Sequence, residues 1–239
     1  MTDGDRVRHQ YDAMAEAYAA DLETSPFNSH YERLATIRLL GDVEGLRVLE
    51  VGCGPGFLTS WLVAAGASVT ALDVSPAMVR LAQRQVGDRA QVLVADLERP
   101  LHFLRDDSVD LVVASLVLHY LRDWNRVFRE FHRVLGAGGA VVFSTHHPAM
   151  DWPLHTPGNY FAISQITETW HKAGRDFPVT FWRRPLTAMT QSISRSGFVI
   201  EALVEPEPTT ELKRRDAGAD RTLRTKPAFL FFRIRAESR

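Results

Sequence analysis

The sequence has 239 residues, which suits one large α/β domain or one domain with a modest insertion. Hydrophobic residues make up 45% of it and the formal net charge is −1, so the composition is that of a globular protein and gives no sign of a polyanionic partner such as nucleic acid. The single cysteine excludes an intramolecular disulfide, and no segment resembles a signal peptide or a membrane span, so we expect a cytoplasmic protein without a membrane partner.

The N-terminal part of the chain favours helices. Apolar side chains recur at helical spacing from Val7 to Asp21 and again from Asn28 to Leu40, after which Gly41 ends the pattern. We interpret residues 1–42 as a helical cap on a chain that forms a single domain, residues 1–239.

Short apolar strands then alternate with helices. The predicted strands are Arg47 to Val51, Ser68 to Leu72, Ala90 to Ala95, Asp110 to Ala114 and Ala140 to Ser144. The predicted helices are Phe57 to Ala65, Pro76 to Val86 and Asp123 to Leu135. This alternation predicts an α/β fold with a mostly parallel sheet and helices on both faces, and we place this core at residues 43–146.

The regular pattern stops after His146. We interpret residues 147–184 as an insertion that covers a substrate, because aromatic residues crowd this segment: Trp152, Tyr160, Phe161, Trp170, Phe181 and Trp182. A hydrophobic subunit interface, and with it a homodimer, is the alternative reading of the same aromatic residues. Arg183 and Arg184 are candidates for meeting an acidic group of a substrate.

Residues 185–239 are expected to complete the sheet. A helix is predicted from Pro185 to Ser196 and a strand from Phe198 to Val204, followed by a polar loop or lid from Glu205 to Lys226. The last strand, Ala228 to Ile234, is expected to be antiparallel because only a loop precedes it.

A glycine-rich turn follows the first predicted strand, and it reads Glu50-Val-Gly-Cys-Gly-Pro-Gly56. Such a turn lets a ligand approach the backbone closely and directs amide groups at ligand anions. Phe57 occupies the third glycine position of the dinucleotide fingerprint, and Glu50 would repel a pyrophosphate. A carboxylate there suits the ammonium and sulfonium of S-adenosylmethionine, and Asp73 at the end of the second strand can accept hydrogen bonds from ribose hydroxyls.

Four segments carry a family resemblance: 48–56 (VLEVGCGPG), 71–78 (ALDVSPAM), 94–97 (VADL) and 107–121 (DSVDLVVASLVLHYL). Together they resemble the class I S-adenosylmethionine-dependent methyltransferases, and among these the bacterial small-molecule branch that includes ubiquinone and menaquinone methylases. The resemblance implies S-adenosylmethionine as cofactor and a Rossmann-like seven-stranded sheet whose last strand is antiparallel.

The resemblance also implies a role for each matching residue. The methionine part of the cofactor is expected beside Glu50, Gly52, Gly54, Ser115 and Leu116, the ribose beside Asp73, and the adenine beside Val74, Met78, Asp96 and Leu97. Cys53 is counted with the turn, although we expect its side chain to pack rather than to act as a thiol. Tyr11 and Tyr18 resemble the N-terminal helix that caps the site. Alternatively, Asp96 is a turn or cap residue and the two tyrosines are core aromatics.

Methyl transfer is an in-line displacement, so much of the catalysis consists of holding donor and acceptor in line. His146 and His147 follow the fifth strand, where ligands bind in this architecture, and are candidates for orienting or deprotonating the acceptor. His119 is a third candidate. Loop capping or packing within a turn is the alternative for these histidines. No spaced cluster of metal ligands is visible in the sequence, so we expect no metal.

The favoured function is methyl transfer to an O, N or C nucleophile of a small molecule, with possible assistance from a histidine. An RNA or protein methyltransferase is a second hypothesis. The place after the fourth strand reads Ala114-Ser-Leu-Val, which lacks the Asn/Asp-Pro-Pro-aromatic tetrad of enzymes that methylate the exocyclic amine of adenine. A cofactor-binding protein without turnover is the third hypothesis, and Phe57 and Glu50 disfavour a dehydrogenase.

Overall fold

The computed structural model describes residues 2–25, 27–150 and 159–237. Its centre is a seven-stranded sheet in the order β3-β2-β1-β4-β5-β9-β8. The strands of this sheet are β1 (Arg47–Val51), β2 (Ser68–Asp73), β3 (Gln91–Val94), β4 (Val109–Ala114), β5 (Leu135–His146), β8 (Phe198–Val204) and β9 (Phe229–Ala236). Strand β9 is antiparallel to both of its neighbours, and the other described pairings in this sheet are parallel. The fold class predicted from the sequence is confirmed.

Helices cover both faces of the sheet. They are α1 (Asp3–Thr24), a π-helical turn (Asn28–Glu32) that continues into α2 (Arg33–Leu40), α3 (Phe57–Ala64), α4 (Pro76–Val86), α5 (Trp124–Val134), α6 (Leu186–Arg195), α7 (Thr210–Arg215) and α8 (Ala217–Thr225), with short 3₁₀ turns at Gly87–Arg89 and Leu118–Tyr120. Helices α2, α3 and α4 pack on one face of the sheet, and α5 and α6 pack on the other. No helix among the described residues is long and apolar enough to cross a membrane.

Local sequence explains where several helices begin. Thr2 and Asp5 form a reciprocal capping box at the start of α1. Ser75 caps α4 by accepting a hydrogen bond from the Met78 amide, and Pro76 occupies the first helical position, where the missing N–H costs nothing. The Ser75 cap lies just beyond the end of a strand, and the Thr2 cap lies near the N-terminus. These caps fix where the two helices that border the carboxyl edge of the sheet begin.

A separate hairpin stands between β5 and α6. Strand β6 (Ser164–Lys172) pairs with β7 (Arg175–Arg183) along nine residue pairs. The two-residue turn Ala173-Gly174 has positive φ at both positions, the geometry that matches the right-handed twist of a hairpin. The inner side of the hairpin packs on α1 and on the turn after β4 through Ile166, Phe177, Val179 and Phe181.

Three sequence expectations differ from the structure. The pattern predicts no strands in residues 147–184, whereas β6 and β7 lie there; Trp152 is outside the described residues. The polar segment 205–226 is not a loop but contains α7 and α8, which bury Leu212 and Leu223 beneath charged faces. The fifth predicted strand, Ala140 to Ser144, is longer in the structure, where β5 begins at Leu135 and ends at His146.

Candidate active site

The site lies where the sheet order reverses, between β1 and β4. Successive connections run outward from this point in opposite directions, which leaves a crevice at the carboxyl ends of the two strands. Two adjoining cavities open there. The first, which we call the cofactor cavity, is lined by the glycine turn, Asp73, the loop after β4 and the helices of the N-terminal part.

The glycine turn is shaped for close approach to its backbone. Gly52 has φ of 68°, and a Cβ atom there would lie 2.5 Å from Val117 Cγ2, so no other residue fits this position without rearrangement. Gly54 has φ of 54°, and a Cβ atom there would meet nothing within 4 Å. The space over Gly54 therefore belongs to the cavity, while Cys53 is buried and its amide donates to the carbonyl of Leu72.

Asp73 ties the turn to the start of α4. Its Oδ2 accepts from the Gly54 amide at 2.9 Å and its Oδ1 accepts from the Ser75 amide at 2.9 Å. Burial raises the pKa of this carboxyl to about 6, although the backbone donors oppose the shift. The Asp73 carboxyl group lines the cofactor cavity, and the two amides do not use all of its lone pairs. The remaining lone pairs can accept hydrogen bonds from the hydroxyls of a ribose.

Glu50 is a buried carboxyl group in the wall of the cofactor cavity. Its side chain is 2% exposed, and its Oε2 is buried without a hydrogen-bond partner among the described residues. Burial raises the pKa of Glu50 to about 8, and the neighbouring Asp73 adds to the shift. A cationic ligand group could donate a hydrogen bond to this oxygen. The site therefore fits the ammonium group of S-adenosylmethionine.

A narrow extension of the crevice lies beside Val74, Asp96 and Leu97, the residues expected at the adenine. Asp96 Oδ1 accepts a hydrogen bond from the Glu98 amide at 2.9 Å. This contact also agrees with the alternative interpretation of Asp96 as a turn residue. The start of α1 closes this extension, since a Cβ atom on Gly4 would lie 2.4 Å from Asp96 Oδ2. Met78 is fully buried beneath the site and does not line the extension.

Tyr11 and Tyr18 bring α1 into both cavities. Their rings meet edge to face, with centroids 5.2 Å apart, and the Tyr11 hydroxyl lies 2.6 Å from the hydroxyl of Tyr120. Burial raises the pKa of all three phenols, so they stay protonated as neutral hydrogen-bonding groups. The two predicted tyrosines thus line the site and also pack in the small core under the hairpin.

The second cavity, which we call the acceptor cavity, has a volume of about 320 Å³. It shares five lining residues with the cofactor cavity: Tyr11, Tyr18, Asn28, Leu116 and Tyr120. The remaining walls come from the hairpin, the last strand and two histidines, through His119, His146, Thr169, Trp170, His171, Lys172 and Phe229. Most of these side chains are aromatic rings, so the cavity suits a small organic group.

His119 and His146 are stacked in the wall of the acceptor cavity, with ring centroids 4.1 Å apart. His119 is 2% exposed, and neither of its ring nitrogens has a hydrogen-bond partner among the described residues. Burial holds the pKa of His119 well below the usual 6.5, and electrostatic interactions with His146 and Arg184 act in the same direction. The ring is therefore neutral and offers one donor and one acceptor nitrogen.

His147 lies elsewhere. Its Nδ1 accepts from the Ala149 amide at 3.1 Å and its Nε2 lies 2.7 Å from Glu205 Oε1, so both nitrogens are engaged in holding the loop after β5. It lines neither cavity. Arg183 and Arg184 are likewise turned inward, where their guanidinium groups donate to backbone carbonyls.

Some residues of the site carry no signal that we used in the sequence. Glu32 lines the cofactor cavity from the π-helical turn. Asp12 accepts from the Ser75 hydroxyl at 2.6 Å and from the Ala77 amide at 3.1 Å, and so joins α1 to α4. Its position directly after Tyr11 was the available hint. Among the described residues no group of three or more side chains could hold a metal ion.

Several known proteins are similar to this chain in sequence and in fold. A family model described as a methyltransferase domain matches residues 49–143. The crystal structure of an S-adenosylmethionine-dependent methyltransferase from Mesorhizobium loti superposes with a TM-score of 0.71 at 29% identity, covering 90% of this chain and 99% of that one. A malonyl-[acyl-carrier protein] O-methyltransferase of Erwinia billingiae is 31% identical over 73% of this chain and 72% of the relative.

The chain belongs to the S-adenosylmethionine-dependent methyltransferases. A second malonyl-[acyl-carrier protein] O-methyltransferase, from Pseudescherichia vulneris, is 35% identical over 56% of this methyltransferase and 53% of the relative. The chain thus spans about half the length of several curated relatives that it matches. S-adenosylmethionine is the cofactor of the family, and the orphaned oxygen of Glu50, the open space over Gly54 and the Asp73 carboxylate all fit it.

Proposed function

We propose that this methyltransferase transfers the methyl group of S-adenosylmethionine to a carboxylate oxygen of a small acyl acceptor. The observation that carries the proposal is that the two cavities adjoin at Leu116 and its neighbours, which line both of them, so that a donor and an acceptor bound there would lie close together. Relatives named as O-methyltransferases support an oxygen nucleophile.

Leu116 lies at this junction and lines both cavities. Leu116 has φ of 50°, an uncommon conformation for a branched residue, and its amide donates to Ser144 Oγ at 2.9 Å. Strain of this kind persists only where surrounding contacts fix it, and it concentrates at functional sites. S-adenosylmethionine supplies an activated methyl group, so the chain's own task is to keep the acceptor atom in line with that group and to exclude water.

The state of His119 favours an acceptor that is already ionised. A buried imidazole with a pKa well below 6.5 is a weak base, and it is poorly suited to deprotonating a hydroxyl or an ammonium. A carboxylate needs no deprotonation, and it can accept a hydrogen bond from the N–H of neutral His119. The side-chain amide of Asn28 supplies a further donor in the same cavity.

The test is an acceptor screen with the purified chain and S-adenosylmethionine. We would offer a malonyl thioester, free dicarboxylates, phenols and amines, and would measure S-adenosylhomocysteine release together with product mass. Methyl esters should form from the carboxylates. Transfer to phenols or amines with inert carboxylates would overturn the proposal, and methylation of RNA or of protein side chains alone would favour the second hypothesis.

A pair of matched variants tests the role of His119. His119→Phe should lower kcat for the best acceptor by about 10-fold or more, because the hydrogen bond to the acceptor is lost, while affinity for S-adenosylhomocysteine stays unchanged. His147→Phe is the control, since His147 lines neither cavity, and it should leave kcat unaltered. Equal kcat values for the two variants would remove His119 from the mechanism.

A further inference from the structure

Glu32 is a buried carboxylate at the end of the π-helical turn, and its side chain is 4% exposed. Its Oε1 accepts three hydrogen bonds from hydroxyl groups: Thr36 at 2.8 Å, Ser115 at 2.7 Å and Ser144 at 2.6 Å. A buried charge of this kind is costly unless it is well solvated by the protein. The three donors come from three different elements, so the carboxylate is built into the site rather than placed there by local sequence.

The second oxygen of Glu32 is not used by the protein. Oε2 receives no hydrogen bond from the described residues, and Glu32 lines the cofactor cavity. Because three donors fix Oε1, the carboxylate cannot turn away to satisfy Oε2 elsewhere. The free oxygen is therefore available to whatever occupies the cavity, in the same way as the orphaned Oε2 of Glu50.

We propose that Glu32 binds the α-ammonium group of the cofactor through Oε2, together with Glu50. An ammonium carries three N–H donors and can fill a carboxylate lone pair, whereas the sulfonium has none to give. Ser115, which donates to Glu32, follows the end of β4 beside the turn that follows β1, so both carboxylates border the same part of the crevice.

The adjacent Arg33 strengthens the assignment to the amino-acid end. It lines the same cavity, and its guanidinium lies 4.9 Å from the centroid of the Phe57 ring. Consecutive residues of opposite charge match the ammonium and carboxylate of an amino acid, whereas a lone sulfonium would call for negative charge alone. This inference depends on the cofactor and not on the acceptor proposed above, so either can fail without the other.

The test compares two ligands by titration calorimetry. S-adenosylhomocysteine carries the amino-acid end, and 5′-methylthioadenosine lacks it. Glu32→Gln keeps an oxygen to accept from the three hydroxyls but loses the charge. It should weaken S-adenosylhomocysteine binding by about 10- to 100-fold, the usual effect of losing a charged hydrogen bond. Binding of 5′-methylthioadenosine should stay within about twofold of the unaltered protein.

Asp220→Asn is the matched control, because Asp220 is equally buried, pairs with Arg224 and lines neither cavity; it should change neither affinity. Equal weakening of both ligands by Glu32→Gln, or no weakening of either, would overturn the proposal. If Glu32→Gln does not fold, Glu32→Asp gives the same reading, since it keeps the charge but shortens the reach and should weaken S-adenosylhomocysteine alone.

Discussion

Replacing Glu50 by glutamine should make the cofactor-free protein more stable at alkaline pH. The pKa of Glu50 is raised by burial from 4.5 to about 8, so the folded protein keeps this carboxyl protonated over a range in which the unfolded chain has already ionised it. The folded state therefore binds the extra proton, and stability from this group falls as pH rises from about 4.5 to 8 and is level above 8.

The structure sets the size of the effect. The separation between 4.5 and about 8 corresponds to at most about 5 kcal/mol, at about 1.4 kcal/mol for each pH unit. Glutamine has nearly the shape of the protonated acid and carries no charge at any pH. The free energy of unfolding should therefore favour Glu50→Gln by about 2 kcal/mol at pH 6 and by up to about 5 kcal/mol at pH 9, and the difference in melting temperature between the two proteins should grow accordingly. Even about 1 kcal/mol would appear as roughly 2–4 °C in a chain of this length.

Differential scanning fluorimetry of both proteins from pH 6 to pH 9 measures this, first without ligand and then with saturating S-adenosylhomocysteine. Other titrating groups largely cancel because only the difference between the proteins is used. With ligand the order should reverse, since the variant loses the carboxylate that meets the ammonium. A difference that does not grow with pH, or a variant still fully stabilised by the ligand, would refute the link between the burial of Glu50 and cofactor binding.

Three further outcomes are expected. Asp73→Asn removes the charge of a cavity-lining carboxylate that accepts hydrogen bonds from the Gly54 and Ser75 amides. It should weaken S-adenosylhomocysteine binding by about 10- to 100-fold in calorimetry. An unchanged affinity would exclude the role of Asp73 in binding the ribose. Gly4→Ala places a methyl group against Asp96, and should raise the dissociation rate of the cofactor in stopped-flow measurements by displacing the start of α1. Trp182→Phe removes the 2.8 Å hydrogen bond from the indole to Asp3, and should lower the melting temperature by a few degrees with no change in the secondary structure seen by circular dichroism.

The sheet and its order of elements could be predicted because each strand and helix has a recognisable pattern in its own stretch of sequence. Buried parallel strands such as Val109–Ala114 are continuous apolar runs, and helices such as Pro76–Val86 begin at recognisable caps. The acidic residues Glu50 and Asp73 could be singled out as candidates for a similar reason, since each lies at or near the end of a strand and Glu50 stands just before the glycine turn. These features depend on residues close together in the sequence.

The parts that escaped prediction depend on distant residues or on mixed signals. Glu32 could not be identified because its partners Ser115 and Ser144 lie 83 and 112 residues away in the sequence and contact it only in the folded chain. In the hairpin, Phe177, Val179 and Phe181 alternate regularly, but Pro178 lies among them within β7, and a proline normally argues against a paired strand. Helices α7 and α8 bury few apolar side chains and are dominated by charge, so their composition favours a loop.

The β6–β7 hairpin has a consequence for how this protein can change over evolutionary time. Its ladder of hydrogen bonds is closed on itself and does not extend into the seven-stranded sheet, yet it supplies Thr169, Trp170, His171 and Lys172 to the acceptor cavity. The cofactor cavity draws none of its walls from this hairpin. Under the proposed function, one contiguous stretch of the gene encodes four of the twelve residues that line the acceptor cavity, and exchanging it between homologues should create chimeras that retain the methyl donor while acquiring a new substrate range.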